Sequence, residues 1–183
     1  CTFLTHAATV CGGGLKTRFN TPTLTCCTFY GNWVVPGDGG GTYSGGDSTL
    51  IQCVFEANRA GKSGGGAATY GDNLFRGCTF TANTAQTGGG LSDEGKARVI
   101  DSTFQDNAAE SFGGMHRGDV ISRSTFTHNM ATNPVGNGGG GLGGSNLVTD
   151  CLFLENVSQA NGGGVSFPEY ESPGDFWNCR FIR

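Results

Sequence analysis

The sequence has few charges and no long apolar run. Charged residues make up 14% of its 183 residues. No stretch approaches the roughly 18 apolar residues of a transmembrane helix, which excludes a helical membrane span. Eleven basic residues stand against fifteen acidic ones without a basic block, which excludes a typical nucleic-acid binder. Only 5 prolines occur, and the glycines are clustered rather than spaced in threes, which excludes collagen.

Glycine and phenylalanine are abundant instead. The 34 glycines are near one residue in five, whereas an average protein has about 7%. Each Gly inside a helix costs about 1 kcal/mol relative to Ala, so a helical bundle is excluded. The 13 Phe and 36% apolar residues are too many for a disordered chain. The composition favours a Gly-rich, Phe-rich β protein.

A repeat of the form C/S-x-F-x-x-N runs through the whole chain, and a glycine cluster follows each of its first seven copies. Its phenylalanines are Phe3, Phe29, Phe55, Phe80, Phe104, Phe126, Phe153 and Phe181. Three residues after Phe3 comes His6, and the later copies carry Asn32, Asn58, Asn83, Asn107, Asn129 and Asn156 at that position. The small residue and the Phe are two apart, which is the period of a strand with one buried face. From the second copy onward, an apolar residue five before each Phe breaks that period and indicates a bend between two short strands.

These columns predict one all-β domain over residues 1–183, a single-stranded right-handed parallel β-helix of about seven rungs of about 25 residues. Phe should stack on Phe in the core, and Asn amides should bond along a ladder at a corner. We expect Asn to supply the left-handed backbone of that corner and the glycine cluster to supply a second one. The rungs should stand about 4.8 Å apart.

The FxxN strings and the Gly-Gly-[small or aliphatic] clusters resemble the repeats of the chlamydial polymorphic outer-membrane proteins and of related β-helix proteins of algae and other eukaryotes. The resemblance covers nearly the whole chain. It implies a right-handed β-helix exposed outside the cell, in proteins associated with adhesion.

The eight cysteines have two interpretations. Cys1, Cys27, Cys53, Cys78, Cys151 and Cys179 lie two residues before the repeat Phe, in a column that Ser102 and Ser124 interrupt, and Cys11 and Cys26 lie off it. All eight are disulfide candidates in an oxidising compartment, with Cys11 and Cys26 available to each other. The alternative is a column of inert buried thiols. No Cys/His spacing suits zinc, and no cofactor or metal is expected.

One charged constellation occurs, on the later rungs. Asp106, His128 and Glu155 lie two residues after successive repeat Phe residues, and Asp101, Arg123 and Asp150 lie three before them. The first set is the weak candidate for a catalytic site, because carboxylates with a His can perform general acid–base work on a glycan. Attraction between neighbouring rungs explains both sets structurally, and we favour that interpretation.

Two smaller features remain. Asn156-Val157-Ser158 is an N-glycosylation sequon, so Asn156 is a possible modification site. Thr2, Thr28, Thr79, Thr103 and Thr125 form an outward column, which makes ice binding a minor alternative.

The predicted function is that of a non-enzymatic extracellular or cell-surface module with a structural or adhesive role, and a glycan-active enzyme is the alternative. The chain opens with CTF and closes with CRF, the same phase of the repeat. We therefore expect the rod to extend end to end, by self-assembly or by covalent continuation. A cell-surface or glycan ligand is the other partner considered.

Overall fold

A computed structural model of the chain describes residues 1–19, 21–135, 138–167 and 174–183. These residues form short strands and turns and contain no helix, so none that could cross a membrane. Each coil contributes strands to four parallel sheets, and each strand pairs with its equivalent in every adjacent coil that carries one. The predicted parallel β-helix of about seven rungs is confirmed, with an eighth strand in one sheet.

The sheets are numbered in the order in which a coil passes through them. Sheet 1 consists of Thr2–Leu4, Thr28–Tyr30, Val54–Glu56, Thr79–Thr81, Thr103–Gln105, Thr125–Thr127, Leu152–Leu154 and Arg180–Ile182. Sheet 2 consists of Ala7–Ala8, Trp33–Val34, Arg59–Ala60, Thr84–Thr87, Ala108–Ser111, Met130–Ala131 and Val157–Ser158. Sheet 3 consists of Leu15–Thr17, Thr42–Ser44, Ala67–Thr69, Leu91–Asp93, Met115–His116, Leu142–Gly143 and Val165–Ser166. Sheet 4 consists of Thr23–Thr25, Thr49–Ile51, Leu74–Arg76, Arg98–Ile100, Val120–Ser122, Leu147–Thr149 and Asp175–Trp177.

The repeat phenylalanines form one continuous stack inside the coil. All eight pair in register along sheet 1, and successive ring centroids are 4.6 to 4.9 Å apart with nearly parallel planes. Phe80 is fully buried between Phe55 and Phe104, and the edge of the Phe75 ring from sheet 4 contacts it. Apolar residues of sheets 3 and 4, such as Leu91 and Val99, complete the core. The predicted core ladder is therefore confirmed.

The asparagines form a second ladder at the corner between sheets 1 and 2. Asn58 Nδ2 donates to the backbone oxygen of Phe29 at 2.8 Å and to Asn83 Oδ1 at 3.0 Å. Its own Oδ1 accepts from the backbone N and from Nδ2 of Asn32. The same pattern continues to Asn156, and the first five asparagines are fully buried. The predicted corner ladder is confirmed.

The left-handed backbone at this corner lies one residue earlier than expected. Positive φ occurs at the residue before each Asn, as in Ala57, Ala82 and His128, and not at the Asn itself. The Asn side chain turns inward to bond between coils, so the preceding residue makes the bend and its side chain points away from the core. A second left-handed position precedes each Cys or Ser at the corner between sheets 4 and 1, as in Gln52 and Asp101, which explains the bend that the apolar column predicts.

The glycine clusters form the corner between sheets 2 and 3, where added side chains would collide with backbone atoms of the neighbouring coil. Gly64 has φ of +64°, which a side chain rarely adopts. A Cβ on the next residue, Gly65, would lie 2.4 Å from the backbone oxygen of Gly89 in the following coil. Glycine is required here both for the left-handed turn and for this close contact.

We predict that Phe80→Ala lowers the free energy of unfolding by about 3–5 kcal/mol, because it opens a cavity in the middle of the ring stack. Thr103→Ala should cost less than about 1 kcal/mol, because the Thr103 side chain lies on the outer face of sheet 1. Thermal or denaturant melts of both variants measure the difference. The opposite ranking would contradict the inward and outward assignment of sheet 1.

Candidate functional site

The charged residues singled out in the sequence lie at the two left-handed corners that flank sheet 1. Asp106, His128 and Glu155 occupy the left-handed position before Asn on three successive coils. Their side chains are about half exposed and stand beside one another along the axis. We call this row the acid–histidine ladder. The structure thus brings the three candidate catalytic residues together.

Within the acid–histidine ladder the imidazole lies between the two carboxylates. His128 Nε2 is 2.8 Å from Glu155 Oε2, and His128 Nδ1 is 3.7 Å from Asp106 Oδ1. The second oxygen of Asp106 accepts a hydrogen bond from Gln105 Nε2 at 3.0 Å. The imidazole therefore bridges the two neighbouring coils, with a hydrogen-bond contact to Glu155 and a longer contact to Asp106.

The other charged row lies at the opposite end of the sheet 1 strands. Arg123 donates to both oxygens of Asp101, through Nε at 2.7 Å and through a terminal nitrogen at 3.1 Å. This hydrogen-bonded fork lowers the pKa of Asp101 and raises that of Arg123. Asp150 accepts from Asn178 Nδ2 at 2.6 Å. The row is thus a chain of contacts between coils.

The two rows are separated by the length of a sheet 1 strand. Five residues separate Asp101 from Asp106 along the chain, which corresponds to up to about 16 Å in an extended strand. Paired glycosidase carboxyl groups stand about 5–9.5 Å apart. A paired site across the two rows would therefore require a bend in the strand between them.

The cysteines are all free thiols, so the disulfide expectation is not supported. Column members such as Cys53 and Cys78 are buried and donate to the carbonyl oxygen two residues earlier, at 3.5 and 3.6 Å. Ser102 makes the same contact at 3.0 Å, which explains why Ser and Cys exchange in this column. Cβ atoms stacked at the coil spacing are also farther apart than the roughly 3.5–4.5 Å of a disulfide. Burial raises the pKa of Cys151 to about 11, which keeps that thiol protonated.

The remaining cysteines stand apart from one another. Cys11 forms a backbone bridge with Asp38 beside the glycine corner. Cys26 lies at the corner between sheets 4 and 1 and contacts Gln52 Oε1 through its sulfur at 3.6 Å. The suggested Cys11–Cys26 pair is not formed. Cys1 is exposed and Cys179 partly buried.

The amide of Asn156, the possible glycosylation site, is engaged in the corner ladder. Its Nδ2 donates to the backbone oxygen of Phe126 at 2.7 Å, and its Oδ1 accepts from Asn129. Glycosylation of Asn156 stays a prediction, and it would replace one hydrogen of an amide nitrogen that is held in the corner ladder.

A polar groove that the sequence analysis missed runs along the turns between sheets 3 and 4. It encloses about 360 Å³ and is lined by Glu94, Arg117, Asp119, Ser145 and Asn146, among others. Arg117 is paired with Glu94 at 2.5 Å, and Asn146 Nδ2 donates to Asp119 Oδ1 at 2.9 Å. These turns differ in length and sequence from coil to coil, so no column in the repeat marks them.

A buried histidine lies on the outer face of sheet 3 beside this groove. Phe112, which has φ of +59° where most coils carry a glycine, stacks on His116 with the ring centroids 4.7 Å apart. The imidazole Nδ1 is 3.4 Å from Ser92 Oγ and 3.8 Å from Glu94 Oε1. Burial, reinforced by the neighbouring Arg117 charge, lowers the pKa of His116 to about 4.

We predict that His116 destabilises the fold at acid pH. The unfolded chain takes up the His116 proton near its ordinary pKa of about 6.5, but the folded chain takes it up only near 4. The free energy of unfolding is therefore unaffected by His116 protonation above about pH 6.5. It falls by up to about 3 kcal/mol as the pH is lowered from about 6.5 to about 4.

Urea melts of wild type and His116→Gln at pH 7 and at pH 4.5 measure this contribution. The variant should lose less stability than wild type between the two pH values. An equal loss in both proteins would contradict the assignment.

Comparison with known proteins agrees with the coil geometry. A family model described as a right-handed beta helix region matches residues 6–167. No curated protein and no solved structure matches the chain. The matched segment spans all four sheets and most of the chain. The chain therefore belongs to the right-handed β-helix family.

Proposed function

We propose that the chain is a non-enzymatic structural or adhesive β-helix module that works outside the cell or on its surface. The observation that carries the proposal is the arrangement of the acid–histidine ladder. Asp106, His128 and Glu155 pair with one another across neighbouring coils. They lie on an exposed corner, where solvent weakens any electrostatic effect that they could have on a substrate.

The repeat pattern supports the same proposal. The FxxN and glycine-cluster strings resemble those of the chlamydial polymorphic outer-membrane proteins, which are associated with adhesion. In this chain both strings have an architectural role: the Asn holds the corner ladder, and the glycines allow close approach of the coils. Nearly every repeated residue thus serves the rod, and a rod displays its outer faces to partners.

A glycan-active enzyme is the second candidate function, because right-handed β-helix proteins include such enzymes. The specific observation in its favour is the 2.8 Å contact between His128 Nε2 and Glu155 Oε2, a geometry suited to proton transfer. Ice binding is weaker, because Leu4, Tyr30, Glu56 and Gln105 occupy the outer column of sheet 1 beside the threonines.

We predict that the chain releases neither reducing ends nor unsaturated sugars from a panel of neutral and acidic polysaccharides. The assay includes Glu155→Gln, which removes the proton acceptor of His128, and Asp101→Asn as a matched control in the other charged row. Sugar release by wild type that persists in Asp101→Asn and is lost in Glu155→Gln would establish the enzyme instead.

End-to-end extension of the rod is the second part of the proposal. Phe181 is 55% exposed at one end of the ring stack, and a further coil would bury it, whether that coil came from the same chain or from a second copy. Contact between the two different ends of identical copies would be heterologous and would build an open filament.

For assembly by copies, we expect the sedimentation coefficient of the 183-residue chain to rise with concentration. Phe181→Glu should suppress this rise, because it places a charge on the apolar stacking surface. Val135→Glu, at a residue that is 92% exposed and away from the stack, is the control. A monomer at every concentration would contradict assembly by copies and leave continuation within a longer chain as the only form of extension.

A further inference from the structure

Several exposed apolar side chains lie in the first two coils. Val10, Trp33 and Val35 are 68%, 47% and 46% exposed, and Phe19 is 87% exposed. Trp33 lies at the start of its sheet 2 strand, and Val10 and Val35 lie in the loops that lead from sheet 2 toward the glycine corner. Grouped exposed aromatic and aliphatic side chains mark interaction surfaces more often than single ones do.

Two of these side chains, those of Val10 and Trp33, line a depression that we call the apolar furrow. It encloses about 430 Å³, and its lining includes Ala7, Val10, Lys16 and Trp33. The indole of Trp33 provides a large flat contact area at this site. Trp is enriched among the residues that contribute most to protein–protein binding.

A second depression, which we call the cationic cleft, continues from the apolar furrow. The two share Thr9, Val10, Cys11 and Lys16. The cleft encloses about 370 Å³ and also includes Arg18, Lys62, Asp38 and Tyr43 in its lining. The two depressions together form one continuous surface on the side of the rod.

The charge of the cationic cleft is opposite to that of the whole chain. Lys16, Arg18 and Lys62 are exposed, and the lining contains one carboxylate, that of Asp38. Asp38 Oδ1 accepts a hydrogen bond from the backbone N of Ser63 at 3.0 Å. The cleft is therefore a cationic patch on a protein of net charge −4.

Tyr43 gives this patch an aromatic floor. It pairs in register with Lys16 on sheet 3, and Lys16 Nζ lies 5.8 Å from the centre of its ring, within the range of a cation–π contact. The ring of Tyr70 leans against it, with the centroids 5.6 Å apart. Trp, Tyr and Arg beside a polar rim are the composition of a protein-binding hot spot.

We propose that the apolar furrow and the cationic cleft together form a docking surface for an acidic peptide segment of a partner protein. An apolar side chain of the segment occupies the furrow beside Trp33, and its carboxylates face the three cations of the cleft. Charge complementarity identifies the occupant as acidic, and the adjoining apolar furrow favours a peptide with an apolar anchor over a purely polar chain. The inference does not rest on the proposed function, because such a surface is compatible with an enzyme as well as with an adhesive module.

The test uses the full chain and a short fluorescein-labelled peptide of Glu and Ser around one central Phe, followed by fluorescence anisotropy. We expect saturable binding with a Kd below about 1 mM that weakens as salt is raised. Lys16→Glu should weaken it about tenfold, because the change replaces an attraction by a repulsion. The matched control, Lys96→Glu, alters an exposed lysine outside both depressions and should leave the Kd unchanged.

The contribution of the furrow is tested by a double-mutant cycle. Trp33→Ala should weaken the Phe peptide about tenfold but have little effect on a peptide with Ala in place of Phe. Circular dichroism checks that each variant is folded, and the salt dependence of the wild type tests the charge part without any variant. Equal binding of a peptide with Lys in place of Glu would overturn the proposal. So would an equal loss in Lys96→Glu, or binding of polygalacturonate without binding of the acidic peptide.

Discussion

From Asn58 to Asn129, each buried asparagine of the corner ladder uses both hydrogens of its amide nitrogen and accepts two hydrogen bonds at its oxygen. For Asn58 these bonds reach one coil back to Phe29 and Asn32 and one coil forward to Asn83. A displacement of one coil by a single residue would leave such amides unpaired in the core, at a cost of about 1–3 kcal/mol for each group. The ladder therefore fixes the register of the coils.

The register set by the asparagines determines which side chains meet on the inner and on the outer face of the coil. Inside, it places each Phe ring directly over the next, at spacings of 4.6 to 4.9 Å. Outside, it aligns the left-handed residues before each Asn, so that Asp106, His128 and Glu155 meet as neighbours. Ala57 and Ala82 adopt the same backbone without any polar side chain, so the bend does not depend on the residue that makes it. The left-handed residue before each Asn can therefore vary, because the buried Asn makes the hydrogen bonds that hold the corner.

The sequence predicts the elements that recur and misses those that do not. The Phe and Asn columns are visible because their side chains bond to equivalents in other coils, which requires the same residue each time. No sequence column marks the left-handed positions before Asn, because residues as different as Thr5, Ala82 and Glu155 occupy them. The polar groove near Arg117 and the cationic cleft near Tyr43 combine residues from loops of unequal length. The coil repeat relates Lys16 and Tyr43, which pair on sheet 3, but no period relates the loop residues, so only the folded chain brings those together.

The interchange of Cys and Ser in the column before Phe has a related cause. An even number of cysteines in a regular row suggests pairing, yet the row exists because each side chain donates to the same corner carbonyl. A thiol and a hydroxyl are equivalent in that role.

The ladder asparagines bond only to neighbouring coils, and this affects how such a chain can change in length. Asn83 and Asn107 lie 24 residues apart and make identical contacts on both sides. A recombination event that removed or duplicated the segment between two such asparagines would rejoin surfaces with the same chemistry. The number of coils can therefore change by whole coils while the contacts between neighbouring coils stay the same. The unit that such an event adds or removes is the coil rather than the strand.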